Sequence, residues 1–323
     1  MPFKKLFKLK KTAYLIGIII FILLLLHIDI KRTFSILSEV NPSYILLASI
    51  LMVIMILFKA YKWRYIMKIQ GIYYSLWDSF LMFFNGLFVS ILTPGRIGDF
   101  VRVFYLKKEG FSTGKSFFSV IVDRISDIVF LLIFGFVGIL LLSNLFYNVN
   151  PIYLLATTLI IFTIFLLYFK YYFKRMFKCF FRILIPLRYK PGFKATYSDF
   201  ITELKRVSFS SYFSIVGLTI LSWFLYFSLT YVLAKSIGIN IPFIYMAFIV
   251  TISGLITLIP ITINGIGTRD ATFIFLLSFF NYSGEKAIAF SFLILGTYIF
   301  IAFFGVITWF IKPIPLNLKR ITH

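Results

Sequence analysis

Two glycine-rich segments hold the residues best suited to chemistry. Thr93-Pro94-Gly95-Arg96-Ile97-Gly98-Asp99 and Asn264-Gly265-Ile266-Gly267-Thr268-Arg269-Asp270 each combine an Arg and an Asp with helix-breaking residues, and each interrupts a long apolar stretch. Gly95 and Gly265 lie 170 positions apart (265 − 95). Helix breakers and charges are expensive in hydrocarbon and persist there mainly where they line a cavity or a packed site. Two such breaks in matching halves of a chain point to a transporter-type binding site. The breaking residues are Pro94, Gly95 and Gly98 in the first segment and Gly265 and Gly267 in the second.

Short helices starting just after Gly95 and Gly267 would aim free N–H groups and positive dipole ends into the membrane interior. With Arg96 and Arg269 beside them, they would hold an anionic group such as phosphate, which the planar, multi-donor guanidinium suits. A third group, Asp123, Arg124 and Asp127, lies within the apolar run Ser116–Leu142. Asp123 and Asp127 share one helix face, and Arg124 and Asp127 are spaced to pair. An isolated charge costs at least ~2.5–3.5 kcal/mol in the membrane, so this face should turn inward. The triplet is net negative and calls for another cation, for which Arg96, Arg102 and Arg269 are available. The candidate substrate-binding residues are therefore Arg96, Asp99, Arg102, Asp123, Arg124, Asp127, Asn264, Arg269 and Asp270. A second reading has these residues satisfy one another and brace the broken helices. Asp78, expected at the membrane edge, and Asn85 are weaker candidates. His27, His323 and Cys179 are isolated, so no metal site, disulfide or cofactor is expected.

The elements that position these residues are apolar helices. The chain is 61% hydrophobic and 14% charged, with a mean hydropathy of +0.98; soluble domains carry about 25% charged residues. Apolar runs long enough to span a roughly 30 Å hydrocarbon core recur from Thr12 to Ile311. The expected fold is an all-α polytopic membrane protein forming a single domain over residues 1–323. The formal charge of +22 sits beside apolar spans, which marks cytoplasmic loops and anionic lipid contact rather than nucleic acid.

Charge placement gives a topology. Lys4, Lys5, Lys8, Lys10 and Lys11 put the N-terminus inside, before an uncleaved first span Ala13–Ile28. A second span, Tyr44–Phe58, leads to a loop with Lys59, Lys62, Arg64 and Lys68. If Leu76–Thr93 crossed fully, it would place Arg96, Arg102, Lys107, Lys108 and Lys115 outside. A re-entrant pair, breaking at Thr93-Pro94-Gly95 and returning through a short helix near Ile97–Leu106, removes that conflict. Ser116–Leu142 then crosses outward, Ser143–Pro151 lies outside, Ile152–Phe169 returns, and a basic segment over about 170–210 lies inside. Within it, Lys170, Lys174, Lys178 and Arg182 alternate with a Phe stripe, as in a helix lying on the inner leaflet. The second half repeats the pattern inverted: Ser211–Ala234 outward, Phe243–Ile263 and Ala271–Phe280 as a re-entrant pair, and Lys286–Ile311 inward. About six full crossings, two re-entrant pairs, inverted halves over about 44–142 and 211–311, and cytoplasmic termini result.

Thr93-Pro94-Gly95-Arg96-Ile97-Gly98-Asp99-Phe100-Val101-Arg102, followed by Asp123-Arg124-Ile125-Ser126-Asp127, resembles the lysylphosphatidylglycerol synthase transmembrane-region family of flippase-like membrane proteins. Its pattern reads roughly T-P-G-R-x-G-E-x-x-R, then an acid-Arg-x-x-Asp helix, then P-G-G-x-G-x-R-E. Asp99 and Asp123 stand where Glu is common, and Asn264 replaces the first Gly of the third motif, with Pro260 upstream. Larger members join this unit to a soluble aminoacyl-phospholipid synthetase or sit beside a glycosyltransferase, for which 323 residues leave no room. The resemblance implies the lipid-translocating part alone.

The leading expectation is a flippase-like transporter in the cell membrane. It would move an anionic or modified lipid head group of a phospholipid or lipid-linked sugar. Its partners would be membrane lipids and a separate lipid-modifying enzyme, with no nucleic acid. No G-x-x-x-x-G-K-[ST] loop supports ATP drive, and no recognised catalytic motif supports an enzyme. The alternatives are an integral-membrane transferase on lipid phosphates, using the acids and arginines as acid–base and phosphate-binding groups, and an accessory subunit.

Overall fold

A computed structural model describes residues 20–24, 26, 28–142, 190–258, 262 and 264–313. Among the described residues the secondary structure is entirely helical. In chain order the helices are α1 (Ile30–Ser38), α2 (Pro42–Ile69), α3 (Leu76–Ile91), a 3-10 segment (Pro94–Phe100), α4 (Val101–Lys108) and α5 (Thr113–Leu142). After the undescribed 143–189 come α6 (Lys190–Arg206), α7 (Phe209–Ser236), α8 (Phe243–Leu258), α9 (Thr268–Ser278) and α10 (Gly284–Ile311). Four of these, α2, α5, α7 and α10, are long and apolar enough to cross a membrane. The expected spans Ile152–Phe169 and, for the most part, Ala13–Ile28 lie outside the described residues, as does the stripe over 170–184.

Local chemistry sets the helix ends. Asn41, Ser75, Ser208 and Ser283 cap the starts of α2, α3, α7 and α10, each side chain accepting from a backbone N–H of the first turn. Gly71 and Gly238, both at positive φ, close α2 and α7 alike: Ile72 N donates to Met67 O and Ile239 N to Ala234 O, each at 3.0 Å. The order long helix, short helix, break, short helix, long helix thus occurs twice, in α2–α5 and α7–α10.

The packing also recurs in pairs. α2 lies along α7, α3 packs on α10, and α8 packs on α5. Small residues permit the approach: a Cβ on Gly305 of α10 would lie 2.5 Å from Phe88 of α3, and one on Gly135 of α5 would lie 2.8 Å from Leu255 of α8. α1 rests on α10, and α6 on α5, where Lys115 pairs with Glu203 at 3.5 Å and Phe118 meets Phe200.

The arms carrying the breaks attach at opposite ends of α10. Lys312, just after α10, binds Asp78 at the start of α3 (2.5 Å), and its carbonyl accepts from Tyr105 of α4 (2.8 Å). Asn85, fully buried, donates to the same carbonyl and accepts from Thr308 Oγ1, both at 2.8 Å, so it is a structural clamp. Near the start of α10, Asn240 N, before α8, donates to the hydroxyl of Tyr282, after α9, at 2.7 Å. Asp78 keeps a half-exposed side chain.

Candidate functional site

The first break is held by short polar contacts. Thr93 Oγ1 donates to the α3 carbonyls of Val89 and Ser90 and accepts from Gly98 N at 2.8 Å. Gly98 is required by close approach, because a Cβ there would lie 2.3 Å from the backbone of Val89 and Ser90. Ser90 Oγ donates to Asp99 Oδ2 at 3.2 Å. Arg96 stands at φ 55°, a left-handed conformation costing a non-glycine residue about 1–2 kcal/mol. The segment after Gly95 begins as a 3-10 helix and becomes α-helical only at Val101, which corrects the single helix expected over Ile97–Leu106 and weakens its dipole.

Four elements contribute to a buried ionic network around α5. Arg102 donates through Nη1 and Nη2 to Asp123 Oδ2, each at 3.0 Å, and through Nε to the Asp99 carbonyl. Its guanidinium lies over the Trp63 and Phe83 rings at 5.0 and 4.7 Å. Arg124 bridges Asp99 Oδ2 and Asp123 Oδ2 at 3.0 Å each and reaches Asp127 at 3.7 Å. The shared face of Asp123 and Asp127 meets Lys62, whose Nζ lies 3.0 and 2.6 Å from the two carboxylates and also contacts Ser126 and Thr219. Lys59 Nζ lies 3.4 Å from Asp127 and 4.7 Å from the Trp223 ring centroid.

Lys59 and Lys62 correct the sequence reading, which placed them in a cytoplasmic loop. The helix runs on to Ile69, and both lysines are buried against α5. They join Arg102 in neutralising the acidic helix, while Arg96 and Arg269 do not pair with it. The signal was available: Lys59 and Lys62, three apart, share a face, and no breaker intervenes before Gly71.

The second break is self-contained. Gly267 (φ 88°) starts α9, and its N–H donates to Asp270 Oδ2 at 2.7 Å. Asp270 Oδ1 accepts from Ser291 Oγ of α10 and from Arg269 Nη2 (3.2 Å), and Arg269 Nε donates to Ser291 Oγ at 2.8 Å. The Asp270 carboxylate thus occupies the helix start that was expected to receive an anion. Arg269 Nη1, fully buried, meets no acceptor in hydrogen-bonding geometry.

The two breaks touch. Asn264, at φ 52°, donates through Nδ2 to the Ile91 carbonyl at the end of α3, at 3.0 Å. Arg96 from the first break and Arg269 from the second line one cavity of about 30 Å³, together with Trp223, Tyr226, Phe273 and Tyr298. The predicted residues therefore form two ionic groups: Asp99, Arg102, Asp123, Arg124 and Asp127 in one, Arg269 and Asp270 in the other. Arg96 and Arg269 share the cavity between them. Trp223 joins the groups, lining the cavity and stacking on Lys59.

Residues 12–305 match the family model described as lysylphosphatidylglycerol synthase TM region. The chain is 28% identical over 312 residues to a UPF0104 membrane protein of Methanocaldococcus jannaschii, covering 87% of this chain and 88% of the relative. A UPF0104 membrane protein of Pyrococcus horikoshii is 26% identical over 310 residues, covering 87% of this chain and 90% of the relative.

Proposed function

The chain belongs to the lysylphosphatidylglycerol synthase TM region family, and from that premise we propose that it moves an anionic or modified lipid head group, of a phospholipid or a lipid-linked sugar, across the cell membrane. One observation carries this reading: two helix breaks from the two halves of an apolar helical protein meet at one arginine-lined cavity. Polar cavities between broken helices are the usual substrate sites of membrane transporters. The attachments at the two ends of α10 support re-entrant arms entering from opposite faces. The repeated helix order supports inverted halves. With the basic flanks, these features favour cytoplasmic termini. The protein acts without chemistry of its own, on lipids supplied by a separate modifying enzyme.

Reconstitution into liposomes tests the proposal. Labelled anionic phospholipid in the inner leaflet should become accessible to an impermeant reagent faster than in protein-free vesicles, and Arg96→Gln should abolish the gain. Chemical conversion of the lipid would instead support a transferase, and neither movement nor conversion an accessory subunit.

A further inference from the structure

We infer that the cavity between the breaks is a phosphate site matched to a doubly negative group, a phosphomonoester or diphosphate, rather than to a phosphodiester or a zwitterionic head group. The inference deepens the transport reading and rests on it only in assigning that phosphate to a lipid.

Charge balance carries the argument. The interior around the two breaks holds six cations, Lys59, Lys62, Arg96, Arg102, Arg124 and Arg269, against four carboxylates, Asp99, Asp123, Asp127 and Asp270. Two positive charges are left over. The whole chain has only 11 acidic residues, and the other seven stand elsewhere. Asp29 and Glu39 flank α1, Asp78 is bound to Lys312, Glu109 follows α4, Asp199 and Glu203 belong to α6, and Glu285 lies in the first turn of α10. No carboxylate of this protein can therefore complete the balance.

The surplus is divided: Lys59, Lys62, Arg102 and Arg124 outnumber Asp99, Asp123 and Asp127 by one around α5, where Lys59 lies against Trp223 of the cavity wall, and Arg96 brings the other charge to the cavity itself. Arg96 makes no ion pair among the described residues, and it lines the cavity from a strained backbone position. Arg269 is 3% exposed and spends Nε and Nη2 on Ser291 and Asp270, which leaves Nη1 unsatisfied. Arg96 is partly exposed and has no counter-charge, and Arg269 keeps one buried N–H group without an acceptor, so a bound anion is favoured there. Because Asp270 already fills the start of α9, recognition falls to side chains: two guanidinium groups, with the mutually hydrogen-bonded Tyr226 and Tyr298 hydroxyls beside them. The cavity has room for only one or two waters at about 30 Å³. A phosphate thus enters only as an aromatic wall moves, and Trp223 is part of that wall.

Calorimetric titration of the purified full chain with short-chain phosphatidic acid, phosphatidylglycerol, phosphatidylethanolamine and inorganic phosphate tests this, with tryptophan fluorescence read in parallel. Phosphatidic acid should bind at least about ten-fold more tightly than phosphatidylglycerol, and phosphatidylethanolamine should not compete. Arg96→Gln should weaken phosphatidic acid binding by about ten-fold or more while melting within about 2 °C of wild type. Tyr298→Phe, which keeps the ring, should weaken it less. Arg269→Gln strands Asp270 and is not the deciding variant. Inorganic phosphate binding as tightly as phosphatidic acid, with the same Arg96 dependence, would keep the phosphate chemistry and assign it to a free anion. Equal or tighter binding of phosphatidylglycerol or phosphatidylethanolamine, or unchanged affinity in Arg96→Gln, would overturn the inference. Lipid movement in liposomes without phosphate preference would sink this inference alone. Arg96-dependent phosphate binding without movement would sink the transport reading alone.

Discussion

Replacing Lys62 with Met removes the one lysine that contacts both Asp123 and Asp127, at 3.0 and 2.6 Å, from a position with no exposed side-chain surface. Breaking a buried pair by deleting one partner costs about 3–5 kcal/mol. Here Asp123 keeps Arg102 and Arg124, and Asp127 keeps Lys59 and Arg124, so the loss should fall at the low end, about 3 kcal/mol. At roughly 2–4 °C per kcal/mol for a large domain, the melting temperature drops by about 6–12 °C. Thermal denaturation of the purified protein in detergent reads this directly. Lys235→Met, at a partly exposed lysine bonded to Asn240 and to no carboxylate among the described residues, serves as the control and should stay within about 0.5 kcal/mol. Adding Asp127→Asn to Lys62→Met removes a stranded charge and should restore at least half of the loss. If Lys62→Met melts within about 2 °C of wild type, or the double variant melts below the single one, the network is not held as described.

Gly98→Ala should abolish recovery of folded protein, because its Cβ would meet α3 backbone, whereas Gly217→Ala, mid-helix with nothing within 4 Å, should gain about 0.5–1 kcal/mol; equal yields would refute the close approach. Asn264→Gly keeps the left-handed turn but drops the bond to Ile91, so stability should fall by about 1 kcal/mol and head-group movement should slow. In a Cys179→Ser background, cysteine at Ser283 should label from outside and at Lys115 from inside. External labelling at Lys115 would dismiss the first re-entrant arm.

Much of the frame was legible because glycine, proline and capping residues act locally. The starts of α3 and α8 at Leu76 and Phe243 and the end of α10 at Ile311 stand where the apolar pattern placed them. The breaks sit at the glycines, and the acidic face of α5 turns inward. What failed was non-local. Lysines beside an apolar run look like a cytoplasmic loop, and only the acids of α5, more than sixty residues away, reveal that Lys59 and Lys62 belong inside. The cap on α9 was hidden for a similar reason: Asp270 reads equally well as a ligand contact or as a partner for its own helix start. Ser291, an ordinary helix residue in sequence, settles its orientation.

That cap also bears on how readily such a protein changes its preferences. An anion hole made of backbone amides accepts almost any anion and cannot be edited without disturbing the helix that forms it. Here Gly267 N–H is committed to Asp270, so under the proposed function selectivity would rest on a few side chains, Arg96, Arg269, Tyr226 and Tyr298, that line the cavity. On that reading, exchanging Arg96 for a neutral residue, or one tyrosine for an acid, would reset the charge the cavity accepts without stranding Asp270. Divergence in cargo among proteins of this architecture is then open to single-codon steps, each tolerable on its own.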